Sequence, residues 1–143
     1  MEALAEGRWY PQTISKAHYG LGKVETAQRH YQQARAHLVE SLSHAQKLGH
    51  TYTWLVVNCC GMLGLLAQAQ GQYERAARLC GAALALWDTL DAQGLMSSHW
   101  DADPELAAAY LSLDRAAFQH AWAEGQAMTL EQAIAYALEE ACD

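Results

Sequence analysis

The sequence predicts an all-α protein, two helical hairpins in tandem closed on the C-terminal side by three further helices. Two observations lead there. From Tyr73 the small and apolar residues fall at Ala76, Ala77, Cys80, Ala83, Leu84, Trp87 and Leu90, the stripe of an amphipathic helix. Moving back 42 residues turns Leu63, Gly64, Tyr73, Ala76 and Leu84 into Leu21, Gly22, Tyr31, Ala34 and Leu42. Five like residues in one register make a repeat. Strands have little support, because β-branched residues are few and rarely alternate with polar ones.

The elements follow in chain order. Residues 1–10 read as a lead-in or the remnant of a preceding helix, with Trp9 and Tyr10 placed to cover an exposed end of the stack. Residues 11–93 hold the two hairpins. Pro11 suits a helix start, where its missing N–H costs nothing. The four helices are expected at about Gln12–Thr26, Gln28–Leu48, Thr51–Gln70 and Gln72–Ala92, with Gly49 and Gly71 as stops. Arg29 stands where the second hairpin has Gly71, so the first turn is expected to be built differently. Residues 94–103 read as a linker and residues 104–143 as capping helices. Asp103-Pro104 opens the first of these, with Leu106, Ala109, Tyr110 and Leu113 as its stripe. A second, capped by Ser112 or Asp114, carries Phe118 and Trp122 and stops at Gly125. Thr129 caps the last, with Gln132 completing a capping box and Leu130, Ala133, Ile134, Ala137 and Leu138 as the apolar face.

The order Leu63-Gly64, Gly71, Tyr73, Ala76, Ala83 resembles the tetratricopeptide repeat, which implies an α-α superhelix. A second resemblance covers most of the chain from Tyr19. The run from Ala76-Ala77-Arg78-Leu79 to Gly81-Ala82-Ala83 is followed by Ala121-Trp122-Ala123-Glu124-Gly125 and then by Met128-Thr129-Leu130-Glu131-Gln132-Ala133. This resembles the end of the helical-repeat region in bacterial ATP-dependent regulators of the LuxR-type, MalT-like kind and related predicted ATPases. The resemblance implies a cytoplasmic interaction or sensor module. It also implies a nucleotide-binding switch before the repeats and, in many members, a helix-turn-helix module after them. Neither is visible here: the chain has no GxxxxGK[ST] loop. A fragment of such a regulator is therefore expected, with a standalone adaptor or homodimer as the alternative.

Composition narrows the classes. Apolar residues make up 52%, too many for a disordered chain, and the formal charge is −7 without a lysine-arginine cluster. That argues against direct binding of nucleic acid or an anionic membrane. The stretch Thr51–Tyr73 lacks charge and is long enough to span a bilayer. Its glycines, Asn58 and three glutamines fit better a helix buried in the middle of a stack. The cysteines are Cys59, Cys60, Cys80 and Cys142, without a CxxC, and read as reduced thiols; the first three fit as small core residues.

No catalytic residues and no cofactor are assigned. Ser97, Ser98, His99 and Asp101 are hydrolase residue types, but adjacency in one loop does not make a triad. His30, His37 and His44 are spaced by seven, and Glu40 lies between the last two. His37, Glu40 and His44 are a metal-binding alternative, against a solvated face as the preferred reading. Gly61-x-x-Gly64 reads as a close-packing site. The tetratricopeptide resemblance implies that the first helix of each hairpin lines the concave side. Carried over, it selects Lys16, Tyr19 and Lys23 together with Asn58, Gly61, Leu65 and Gln68. Lys16 and Lys23 flank an aromatic ring in an acidic chain, which suits an acidic peptide or an anionic small ligand.

Overall fold

The computed structural model describes residues 11–49, 52–92 and 115–139. Among these the chain is all-α, with helices α1 (Pro11–Ala27), α2 (Tyr31–Ala45), α3 (Thr53–Ala69), α4 (Tyr73–Ala92), α5 (Arg115–Gln126) and α6 (Leu130–Leu138). The first four lie within three residues of their expected ends. Residues 1–10, the linker 94–103, the helix opened by Asp103-Pro104, the loop with Ser97, Ser98, His99 and Asp101, and Cys142 lie outside the described residues.

The 42-residue register is a packing register. Helices α1 and α2 run antiparallel and meet at Gly22, where a Cβ would lie 2.6 Å from the Leu38 side chain and 3.5 Å from the Ala34 carbonyl. Helices α3 and α4 meet the same way at Gly64. There a Cβ would lie 2.7 Å from Cys80 Sγ and 3.4 Å from the Ala76 carbonyl. Gly22, Ala34 and Leu38 become Gly64, Ala76 and Cys80 on adding 42, so each hairpin closes on the same three positions. Interiors are packed too densely to absorb a side chain there without movement.

The turns repeat as well, which corrects the expectation for Arg29. Arg29 takes φ +65° and Gly71 takes φ +81°. In the first turn the His30 amide donates to the Glu25 carbonyl and the Arg29 amide to that of Thr26. In the second, Gln72 donates to Ala67 and Gly71 to Gln68. Both are Schellman closures, which satisfy the orphan carbonyls at a helix end. Arg29 carries a steric cost of about 1–2 kcal/mol that a glycine avoids. The closure holds because the backbone bonds and the packing on both sides fix it.

Helix α3 is the centre of the stack. Every residue from Leu55 to Ala67 is buried, between α2 on one side and α4 on the other. Among the described residues no helix is long and apolar enough to cross a membrane, so the uncharged stretch belongs to the core. Helix α1 occupies the outer position. Its Leu21 and Val24 are 45% and 52% exposed, whereas Leu63 and Leu66, their equivalents in α3, are 3% and 2% exposed.

Helix α5 runs antiparallel to α4, again over glycines. A Cβ at Gly81 would lie 2.7 Å from the Trp122 carbonyl oxygen, and one at Gly125 would strike the Arg78 carbonyl. Gly125 is thus inside α5 and serves close approach; the helix ends one residue later. Helix α6 begins with the expected capping box: Thr129 Oγ1 accepts from the Gln132 amide, and Gln132 Oε1 accepts from the Thr129 amide. Its other end is held from afar. Arg35 of α2 donates to the carbonyls of Leu138 and Glu139 at 3.2 and 3.0 Å. Arg75 of α4 donates to those of Tyr136 and Glu139 at 3.0 and 2.6 Å, and its guanidinium stacks over the Tyr136 ring. Two cations at a helix C-terminus satisfy orphan carbonyls and oppose the negative end of the dipole.

Candidate functional site

Helices α1 and α3 pack side by side and parallel, and their shared face carries most of the residues selected from the sequence. At one end Lys16 Nζ lies 5.5 Å from the centroid of the Trp54 ring. One turn on along α3, Asn58 is only 7% exposed, and its Oδ1 has no hydrogen-bond partner. Asn58 is therefore part of the seam rather than an open lining residue. Further along, Lys23 Nζ sits 5.7 Å from the Tyr19 ring centroid. Both lysines are thus placed over aromatic faces, which attract cations and limit the directions their heads explore.

The far end opens into a groove of about 520 Å³, lined by Lys23, Thr26 and Ala27 of α1 and by Met62, Leu65, Gln68 and Ala69 of α3. Its two walls are the same repeat positions: Lys23, Thr26 and Ala27 become Leu65, Gln68 and Ala69 on adding 42. The structure brings Lys23, Leu65 and Gln68 together here. Tyr19 adjoins through Lys23, and Lys16 stands at the other end of the seam. The lining is apolar at Met62, Leu65 and Ala69 of α3, polar at Thr26 and Gln68, and cationic at Lys23. Trp54 and Met62 were missed in the sequence reading, although they share one α3 face with Asn58 at steps of four.

The second cluster lies on the other face of α1, toward α2. His18 Nδ1 is 3.1 Å from His37 Nδ1, and the His18 ring stacks parallel to that of His44 with centroids 6.1 Å apart. Glu40 Oε2 lies 3.3 Å from His44 Nε2. His30 and Glu40 are exposed, as a solvated face requires, whereas His37 and His44 are half-buried. His30 stands apart, paired with Glu25 at 2.7 Å. His18 was missed because the sequence reading looked along one helix, whereas the cluster is closed from a second. Burial holds His18 below the ordinary histidine value, His37 and His44 push it the same way, and Glu40 opposes them.

The described cysteines are core residues. Cys59, Cys60 and Cys80 are buried and unbridged. Burial pushes the Cys59 and Cys80 thiols up to about 12 and raises that of Cys60 as well. A thiol held protonated is a poor nucleophile and a poor metal ligand. Cys59 instead donates to Ser41 Oγ at 3.2 Å, and Ser41 and Ser15 each donate to the other's backbone carbonyl at 2.7 Å. This buried polar joint ties α1, α2 and α3 with its hydroxyls satisfied.

The chain matches no protein-family model, no curated protein sequence and no solved structure.

The histidine cluster gives the hairpin a pH response. A histidine titrating lower in the folded chain than in the unfolded one leaves the unfolded state binding more protons. Stability is then full above the unfolded value of about 6.5 and falls as pH drops through it toward the folded value. The urea midpoint in metal-free buffer is expected to fall between pH 7.5 and pH 5. His18→Asn should flatten that slope. An unchanged slope in the variant would show that His18 does not carry the response.

Proposed function

We propose that the chain is a non-catalytic helical-repeat interaction and sensor module. It binds an acidic peptide segment of a protein partner along the α1–α3 face. The observation that carries this reading is the groove whose two walls are equivalent repeat positions, with Lys23 at its rim and Leu65 in its lining. An apolar side chain of the peptide fills the space over Met62 and Leu65, and its carboxylates meet Lys23 and Lys16. The resemblance of the α4, α5 and α6 sequences to bacterial ATP-dependent regulators supports a setting: a cytoplasmic transcriptional regulator of the LuxR-type, MalT-like kind. There the module passes the state of its bound partner or inducer to neighbouring domains. Its DNA contacts belong to those domains.

Selection of random displayed peptides against the tag-free chain tests the binding face. Peptides with Asp or Glu beside an apolar residue are expected to be enriched and lost on the Lys16→Glu/Lys23→Glu variant. Peptides that bind the variant equally well would contradict the assignment. A native reading frame holding neither a phosphate-loop module nor a helix-turn-helix module would contradict the regulator setting.

A second reading is favoured by Leu21 and Val24, exposed where their α3 equivalents Leu63 and Leu66 are buried. That face suits self-association as a homodimer or adaptor. Sedimentation velocity across a concentration series should then show a dimer that Leu21→Glu/Val24→Glu dissolves; a monomer at every concentration would exclude it.

A further inference from the structure

His18, Glu40 and His44 bring three groups able to ligate a divalent metal close together, and nothing in the proposed peptide-binding role uses them. One ligand atom from each, an imidazole nitrogen from the two histidines and a carboxylate oxygen from Glu40, lies within 4.8 Å of both others. The His44–Glu40 separation is 3.3 Å. Bonds of about 2.0–2.1 Å in a tetrahedral site place ligand atoms roughly 3.3–3.4 Å apart. That edge is therefore already at coordination length; the His18 ring, now stacked parallel to that of His44, turns about its side-chain torsions to bring its lone pair to the ion. Glu40 and His44 are one turn apart on α2, which holds them on one face, and His18 arrives from α1.

The repeat supplies an independent reason to read these residues as a departure with a purpose. Adding 42 to His18, His37, Glu40 and His44 gives Cys60, Leu79, Ala82 and Leu86. In the second hairpin those positions hold no group charged at neutral pH, and Cys60, Leu79 and Ala82 are buried. The first hairpin replaces the same four positions with imidazoles and a carboxylate, while keeping the Gly22, Ala34 and Leu38 contact one turn away. Packing alone does not need that exchange, since three imidazoles without an ion crowd like-charged groups when protonated.

We propose that His18, Glu40 and His44 bind one first-row divalent cation of the zinc class, with a fourth position left to water or an incoming ligand. Imidazole and carboxylate donors suit such ions rather than magnesium or calcium, which prefer all-oxygen sets. His37, in contact with His18 Nδ1, is a positioning residue: it sets which nitrogen of His18 carries the proton. The ion joins α1 to α2 and so stabilises the first hairpin.

The test uses the full tag-free chain and Zn²⁺ as the probe. Calorimetry is expected to give one ion per chain, and the thermal midpoint should rise with Zn²⁺, reverse with chelator and ignore Mg²⁺. His18→Ala and Glu40→Gln should each weaken binding by more than the roughly 10–100-fold that loss of an outer partner costs, and His37→Ala by about that amount. His120→Ala, in the exposed pair with Glu124, should leave binding unchanged. Circular dichroism of each variant separates lost ligation from lost fold, and Glu40→Gln, at an exposed position, keeps the test decisive if His18→Ala unfolds. Absence of saturable binding, or binding that survives both His18→Ala and Glu40→Gln, would overturn the proposal.

Discussion

The structure depends on one contact made twice: a glycine of the first helix in each hairpin pressed against the second helix. At Gly22 and Gly64 the missing side chain lets the paired helices approach until Leu38 and Cys80 fill the space a Cβ would take. Much else follows from that distance. It puts the hydroxyls of Ser15 and Ser41 in reach of each other's carbonyls. It places His18 between His37 and His44. The turns are shaped to match, with Arg29 and Gly71 in the same left-handed conformation. Glycine is used again at Gly81 and Gly125 to bring α5 onto α4, so the rule of close approach extends past the repeats.

The two proposed sites lie where the two hairpins differ. The second hairpin is apolar through its seam, and α3 is buried along most of its length. The first keeps the glycine contact but is polar on two sides of α1. Toward α3 it offers Lys16 and Lys23 over aromatic rings. Toward α2 it offers three histidines and Glu40. A repeat that keeps its contact and alters its flanks leaves the backbone set by the contact and the flanks free to vary. An ion that fixes α1 against α2 would also fix the lysines on the opposite face of α1, so the two sites share one helix as their common part.

What was legible in the sequence is what is local or periodic. The helices follow from apolar spacing, the α6 start from the Thr129-x-x-Gln132 pattern, and the pairing of hairpins from the 42-residue register. The burial of α3 was legible because an uncharged helix has nowhere else to go in a stack. The Arg29 turn was not, because residue type argues against a left-handed arginine and only the closing hydrogen bonds reveal it. The grip of Arg35 on the Leu138 carbonyl spans 103 residues and leaves no local trace. His18 escaped for a related reason: its partners are on another helix, and which way it points is set by the rotation of α1 about Gly22. Asn58 was assigned to the concave lining by register alone, which does not show that it is buried.

The central claim is that each hairpin is set by its glycine against one residue of the facing helix. A double-mutant cycle on Gly64→Ala and Cys80→Ala measures this directly. Alanine is the better helix former by about 1 kcal/mol, so Gly20→Ala, where a Cβ meets nothing within 4 Å, provides the reference and should stabilise the chain. The account predicts that Gly64→Ala instead lowers the unfolding free energy by about 1–3 kcal/mol, as overpacking does. It also predicts that Cys80→Ala relieves part of that loss, with a coupling of about 0.5–3 kcal/mol. Additive effects, or a Gly64→Ala chain as stable as Gly20→Ala, would contradict it.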